Sequence, residues 1–184
     1  RNDYLWGAPP QCPVQVALAL PEGSLRLEAP TSSDGDWLEA IADEHGPLLV
    51  TASGTEPLGS RTALVRMVGG CRVALTGIDR LRHPETAADL ARRGVDLVAV
   101  PVGTDLDERA WAAAATRCLE RVPVAVLTPS RASLFLPPEG CEQWTEHTLT
   151  EPGRLSVPLD VAVGRDRHLF DRLDLETLCG PSGT

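Results

Sequence analysis

Two apolar strands that alternate with helices constrain the fold of this chain more than any other feature. Residues 95–101 (VDLVAVP) and 122–127 (VPVAVL) are continuous apolar runs of strand length, which is typical of strands covered on both faces. An alanine-rich helix is predicted between them, at 108–121, and another before them, where Pro84 and Glu85 favour a helix start. Because alternating helices and strands form layered sheets, the sequence predicts an α/β fold.

The remaining sequence predicts further strands and two more helices. The residues between Asp34 and Gly46 place apolar side chains at helical spacing and predict a helix. Gly69 and Gly70 separate two β-rich segments, which indicates a hairpin. A short amphipathic helix is expected at 166–173. Strands are predicted at 13–20, 48–53, 62–68, 72–76, 133–136 and 155–163.

The length and composition fit one compact domain. The chain has 184 residues, of which 42% are hydrophobic, enough to build one core. We expect an extended N-terminal arm at 1–13, because its prolines disfavour a helix and its aromatic residues Tyr4 and Trp6 follow no period. The α/β domain is predicted at 14–178, and a frayed C-terminal tail at 179–184.

The charge and the cysteines disfavour several classes of function. A formal net charge of −9 disfavours binding to nucleic acid or to an anionic membrane, because both attract basic residues. No apolar run approaches the ~20 residues that span a bilayer. The five cysteines include no C-x-x-C pair, so we expect no metal and no cofactor. Reduced thiols and the lack of a signal peptide predict a cytoplasmic protein.

Two neighbouring segments carry a family resemblance. Residues 75–85 (LTGIDRLRHPE) and 90–101 (LARRGVDLVAVP) resemble the centre of the nitrilase, or carbon–nitrogen hydrolase, superfamily. Members of that superfamily have a strand that ends in cysteine, a helix start like Arg-Phe-Pro-Glu, and a Gly-Ala-Asp strand that ends in Val-Pro. The resemblance covers 60–165, and 14–53 more weakly. It implies a nitrilase-like α-β-β-α sandwich, here truncated.

The residues that carry the family's chemistry are missing. Members hydrolyse amides or nitriles with a cysteine nucleophile, a glutamate base and a lysine, because a thiol needs a base and a developing oxyanion needs a positive donor. Counting from the motif at 82–85 places Ile78 at the nucleophile position. The strand that resembles the glutamate strand, 48–53, ends in Ser53 without an acid. All 17 basic residues are arginine, so no lysine is present.

Other residues are candidates for what is left of the site. Cys71 lies at the far end of the same strand as Ile78, and Cys118 is expected to be a small buried residue of a helix. The charged residues near Ile78 either bind a polar ligand or cap helices and form ion pairs, and the second interpretation is preferred. The predicted vestigial pocket consists of Ser53, Ile78, Asp79, Arg80, Glu85 and Glu120.

Three functions remain open from the sequence. The missing nucleophile favours a catalytically inactive domain for binding, assembly or structure, in a homodimer or a larger complex. The family resemblance implies that a homodimer of this chain would form through its helices at 84–93 and 108–121. The second function is a divergent carbon–nitrogen hydrolase or acyltransferase with a rearranged active site. The third is a small-molecule sensor that uses the vestigial pocket.

Overall fold

A computed structural model describes residues 13–29, 36–138 and 143–161 of the chain. These residues form twelve β-strands, three α-helices and one 3₁₀ helix. In chain order the elements are β1 (Val14–Leu20), β2 (Ser24–Glu28), β3 (Trp37–Asp43), β4 (Gly46–Thr51), β5 (Gly54–Pro57), β6 (Leu64–Val68), β7 (Cys71–Leu75), α1 (Ile78–Leu81), α2 (Pro84–Arg92), β8 (Leu97–Pro101), α3 (Glu108–Thr116), the 3₁₀ helix (Arg117–Glu120), β9 (Val124–Leu127), β10 (Ala132–Leu136), β11 (Thr145–Leu149) and β12 (Gly153–Leu159).

The first sheet is antiparallel throughout. Its strand order is β12-β1-β2-β3-β4-β5, so that β1 to β5 are neighbours in chain order and β12 pairs with β1 at one edge. Buried residues alternate with more exposed ones along β3, where Leu38 and Ala40 are fully buried. This period of two means that one face of the sheet points into the protein.

The second sheet is mixed, with the order β11-β10-β9-β8-β7-β6. Its three central strands β7, β8 and β9 run parallel, and β6, β10 and β11 are antiparallel to their neighbours. All five residues of β8 are buried, as the sequence predicts for a strand covered on both faces. Helices connect the parallel strands, as parallel pairing requires.

Two apolar clusters hold these layers together. The cluster between the two sheets includes Leu27 and Leu38 of the first sheet and Val73 and Leu97 of the second. The cluster between the second sheet and the helices includes Ala74, Val98, Leu90, Trp111 and Phe135. The predicted α/β sandwich is therefore confirmed. Within the described residues, α1, α2 and α3 all lie on the second sheet.

Helices α2 and α3 begin where the sequence predicts. Pro84 occupies the first turn of α2, with Glu85 beside it. The Asp107 carboxylate accepts a hydrogen bond from the Ala110 N–H at 2.7 Å and caps the start of α3. These helices lie against β7, β8 and β9 and position the ends of the parallel strands.

The helix predicted between Asp34 and Gly46 is wrong, because residues 37–43 form strand β3. The apolar residues in this segment fit a period of two as well as a helical one, since Leu38 and Ala40 alternate with Glu39. The decisive contacts are not local: Leu38 pairs with Leu27 of β2, and Ala40 pairs with Leu25. Tertiary pairing overrides an ambiguous local pattern here.

Several sequence predictions fall outside the described residues. They are the N-terminal arm except Pro13, the helix at 166–173 and the tail at 179–184. Strand 133–136 is confirmed as β10, and the hairpin at Gly69 and Gly70 joins β6 to β7. The last predicted strand is found at Gly153–Leu159 as β12, where it pairs with β1.

Candidate functional site

The position predicted for a nucleophile lies just beyond the end of β7. Thr76 is buried there; its N–H donates to the Ala99 carbonyl at 3.1 Å, and its hydroxyl donates to the Thr62 carbonyl at 2.8 Å. After Gly77 the chain turns into α1, whose first residue is Ile78. The Ile78 side chain is half-buried and packs on the apolar cluster beneath the helices. It offers no nucleophile, base or hydrogen-bond donor.

The charged residues predicted near Ile78 lie in short helices or at helix ends, and three of the four are exposed. Asp79 and Arg80 are exposed in α1, and Glu85 is exposed in the first turn of α2. Glu120 is half-buried at the end of the 3₁₀ helix. Within the described residues, no hydrogen bond or ion pair joins any two of these four side chains. Because acidic groups in a first turn interact favourably with the helix dipole, this placement favours the helix-end interpretation.

Ser53 lies at the opposite end of the sandwich from Ile78. The residue of this region that approaches Ile78 is Leu58: its N–H donates to the Pro47 carbonyl at 2.8 Å, and a Cβ on Gly77 would lie 3.9 Å from its Cδ2 atom. Pro47 lies near the start of β4, and Ser53 lies two residues beyond its end. The two residues are six positions apart, or about 20 Å along an extended chain. The structure therefore does not bring Ser53 to Ile78.

A cleft of about 480 Å³ lies beside Ser53. Leu49 and Val68 are apolar members of its lining, and the hydroxyls of Thr51 and Ser53 lie 2.9 Å apart beside it. The Arg26 guanidinium stacks on the Trp37 ring, 4.3 Å from its centroid. The lining residues are Asp36, Trp37, Leu49, Thr51, Ser53, Gly54, Thr55, Glu56, Arg66, Met67 and Val68.

Glu56 forms an ionic cluster with two arginines beside this cleft. Arg61 Nη1 donates to Glu56 Oε1 at 2.6 Å, and Arg66 Nη2 donates to Glu56 Oε2. The hydrogen bond from Arg61 does most to hold the pKa of Glu56 below its ordinary value; desolvation opposes it, and the bond from Arg66 adds to it. Arg66 also donates to the Val65 carbonyl at 2.7 Å. Sequence reasoning missed this cluster, because its members fit no motif.

A second cluster, also missed from the sequence, joins β10 to β11. Glu146 accepts hydrogen bonds from Arg131 at 3.0 Å, from Ser133 at 3.2 Å and from Thr148. Burial opposes ionisation, but the bonds from Thr148, Arg131 and Ser133 hold the pKa of Glu146 below its ordinary value. The Arg131 guanidinium stacks on the Trp111 ring of α3, 4.3 Å from its centroid. This cluster connects the edge of the second sheet to the helices.

The two cysteines in the described residues are unsuited to nucleophilic attack. Cys71 and Cys118 are reduced thiols and are fully buried. Burial raises the pKa of the Cys118 thiol to about 11. Since the thiolate is the nucleophile, such a thiol is unreactive near neutral pH. Cys12, Cys141 and Cys179 lie outside the described residues.

In the part of the chain that the structure describes, no three His, Cys, Asp or Glu side chains converge as metal ligands would. No helix in residues 13–29, 36–138 and 143–161 is long and apolar enough to cross a bilayer.

Solved amidase structures resemble the chain in fold. A mutant of the amidase from Nesterenkonia sp. AN1 in complex with butyramide has a TM-score of 0.45 and 21% identity; the match covers 81% of this chain and 65% of that one. A second mutant of that amidase, described as a member of the nitrilase superfamily, has a TM-score of 0.45 and 22% identity, with 82% and 66% covered. The same amidase after removal of its His-tag has a TM-score of 0.46 and 21% identity, with 82% and 68% covered.

These likenesses concern the fold alone. The chain spans 65% and 66% of the length of the first two amidase structures. No protein-family model matches the chain, and no curated protein matches it in sequence. The solved structures belong to the superfamily that the sequence resembles, but identities of 21–22% and TM-scores below 0.5 transfer no residue role.

Proposed function

We propose that this chain is a catalytically inactive nitrilase-like α/β domain that acts through binding or assembly, as part of a homo-oligomer or of a larger complex. The observation that carries the proposal is Ile78. Its side chain follows β7 at the position where the family resemblance requires a nucleophile, and it packs on the apolar cluster beneath the helices.

The thiols support the proposal. Hydrolysis of an amide by a cysteine requires a thiolate that substrate can reach. Cys71 and Cys118 are both fully buried, and the pKa of Cys118 is raised to about 11 by burial. Neither thiol meets the requirement.

One carboxylate at the C-terminal end of the parallel strands, that of Asp105, has a structural partner. Asp105, after β8, accepts hydrogen bonds from Ser130, after β9: from its hydroxyl at 2.6 Å and its N–H at 3.1 Å. The hydroxyl bond from Ser130 does most to hold the pKa of Asp105 below its ordinary value. Because a carboxylate of low pKa is a weak general base, Asp105 is better suited to fastening the two loops together.

The test is a screen of amides, nitriles and esters with the purified chain, with product release as the readout. The proposal expects no release above the rate without protein, before or after treatment with iodoacetamide. Turnover that iodoacetamide abolishes would contradict the proposal, and Cys118→Ala and Cys71→Ala variants would show whether either buried thiol carries it. Serine variants of Cys12, Cys141 and Cys179 show whether any thiol dependence comes from these three cysteines or from Cys71 and Cys118.

The cleft beside Ser53 favours a second candidate, a small-molecule sensor. Its volume of about 480 Å³ falls within the range of small-ligand sites, and it combines apolar walls with hydroxyl and charged groups. A ligand of this cleft would raise the melting temperature of the chain, because binding stabilises the folded state. The increase should be lost in Ser53→Trp, which fills the cleft; an equal increase in that variant would place the ligand elsewhere.

A further inference from the structure

We propose that the free edge of β6 is a self-pairing surface, to which β6 of a second copy adds as an antiparallel strand. The inference rests on the assembly role proposed above and specifies its surface, partner and register. The interface differs from the helix face through which the family resemblance would place a dimer.

Among the four edge strands of the two described sheets, β6 is the one suited to pairing. Strand β5 has four residues and ends at Pro57, and β12 carries Pro158. Strand β11 carries Glu146 and His147. Prolines and charges on an edge hinder the addition of another strand. Strand β6 (LVRMV) has five residues, no proline and one charged side chain.

The hairpin geometry determines which backbone groups of β6 face the free edge. Val68 and Cys71 flank the two-residue turn and pair with each other, so the hydrogen-bonded pairs with β7 alternate back from Val68 to Leu64. The backbone groups of Val65 and Met67 therefore point away from β7. A second strand would find two N–H groups and two carbonyls at this edge. The Val65 carbonyl already accepts a hydrogen bond from Arg66 Nη1 at 2.7 Å, so the added strand would use its second lone pair.

The side chains beside these groups are apolar and exposed. Val65 is 40% exposed and Met67 is 53% exposed, on the face of the sheet opposite to Leu64 and Val68. Leu64 and Val68 belong to the cluster between the sheets, so the exposed pair is not part of that core. Covering Val65 and Met67 would remove apolar surface from water.

A two-fold axis through Arg66 makes β6 complementary to itself. In an antiparallel pair centred on this residue, Val65 lies opposite the partner's Met67, and Met67 lies opposite the partner's Val65. The same register places Leu64 opposite the partner's Val68. With the symmetric pair of Val68 and the partner's Leu64, this makes four apolar cross-strand pairs, and the backbone groups of Val65 and Met67 exchange hydrogen bonds with the partner.

The two Arg66 charges at the centre of this strand pair are partly neutralised within each copy. Arg66 would lie opposite the partner's Arg66, and like charges in that position destabilise a sheet. Each Arg66 is already bound to Glu56 of its own chain. The Glu56 carboxylate of each copy therefore offsets part of the repulsion between the two guanidinium groups.

Disulfide trapping tests the register. Because Val65 and the partner's Met67 are a hydrogen-bonded pair, the two Arg66 residues form a non-hydrogen-bonded pair with Cα atoms about 4.5 Å apart. That distance is within the range for a disulfide. In a background with Cys12, Cys141 and Cys179 changed to serine, Arg66→Cys should form a covalent dimer on mild oxidation. The matched Val65→Cys variant should form much less, because its own counterpart is offset by two residues. Equal trapping in both variants, or none in either, overturns the register.

Sedimentation equilibrium tests the interface without cysteine substitutions. The wild-type chain should dimerise at micromolar concentration, and Met67→Lys should weaken the dimer about tenfold or more, because two ammonium groups would be buried in the interface. Glu56→Gln should also weaken it, since the two Arg66 groups lose their counter-ions. The matched control is Leu119→Lys, an apolar residue 47% exposed beyond α3, which should leave the dimer unchanged.

The outcomes separate this inference from the proposed function. A monomeric wild-type chain overturns the edge pairing, even if another segment of the chain or a different protein covers β6. The absence of turnover would then remain as an independent result. A dimer that Leu119→Lys dissociates and Met67→Lys does not is a helix-face dimer, and this also overturns the edge pairing. Thiol-dependent turnover in a dimer that Met67→Lys dissociates would contradict the proposed function alone.

Discussion

Gly69 shows how one residue fixes the connection between the two sheets. It has a φ of 54° in the turn between β6 and β7, a conformation that residues with a side chain adopt at a cost. A Cβ at this position would lie 2.3 Å from Ala29 Cβ. The Gly69 N–H donates to the Asp36 carboxylate at 3.1 Å. The turn of one sheet therefore lies directly against Ala29 and Asp36 of the other, next to the end of β2 and the start of β3.

Replacing Gly69 by alanine should destabilise the protein by about 2–4 kcal/mol, because backbone strain and overpacking both contribute. The matched control is Gly59→Ala. Gly59 has a φ of 58°, but a Cβ added there would meet nothing within 4 Å, so backbone strain alone should cost about 1 kcal/mol. Urea unfolding of both variants measures the difference. Equal losses would show that the contact with Ala29 relaxes without cost.

The raised pKa of Cys118 predicts that the free energy of unfolding falls in alkaline solution. Its folded-state pKa is raised from 9.0 to about 11, so the unfolded chain releases this proton first as the pH rises. The contribution of Cys118 to the free energy of unfolding is thus complete below pH 9 and is lost between pH 9 and pH 11. Urea unfolding across this range should show a steeper loss for the wild type than for Cys118→Ala. Parallel pH profiles would contradict a buried, protonated thiol.

At the scale of elements, local pattern identified the helical half of the fold better than the antiparallel half. Strands β8 and β9 and helices α2 and α3 have long apolar runs, a proline start or a side-chain cap, all of which are local signals. Strand β3 depends on its pairing with β2 and β4, and β11 (TEHTL) has no apolar run. Contacts between distant residues decide these strands, so their own sequences could not predict them.

Strand β11 is held by side-chain hydrogen bonds, and Glu146→Gln tests their contribution. The pKa of Glu146 is lowered on folding, so its stabilising effect is present above its ordinary pKa of 4.5 and is lost as the pH falls through the folded value. At neutral pH the Gln variant should be less stable than the wild type, and the difference should shrink in acid below pH 4.5.

The matched control for Glu146 is Glu151→Gln, a change of an exposed residue between β11 and β12 that should alter stability little. Urea unfolding at neutral and acidic pH gives both comparisons. A difference between Glu146→Gln and the wild type that does not depend on pH would show that charge is not what Glu146 contributes.

At the scale of the whole molecule, the candidate site was predicted in part. Counting from the motif at 82–85 placed the nucleophile position at Ile78, and the structure places Ile78 just beyond the end of β7. Counting could not locate Ser53, since its position depends on how β4 packs in the other sheet. The cluster of Glu56, Arg61 and Arg66 was also out of reach, because these residues meet only when β5 and β6 become neighbouring edges.

We propose that position 78 serves packing and not chemistry in this protein, and one variant tests this proposal most directly. The free energy of unfolding and the amide turnover are both measured on Ile78→Cys. We expect a loss of about 1–2 kcal/mol, because a half-buried branched side chain is truncated, and no turnover. Leu119→Ala, at an exposed apolar position, should change stability by less than about 0.5 kcal/mol. Unchanged stability of Ile78→Cys, together with a gain of amide hydrolysis, would contradict the claim.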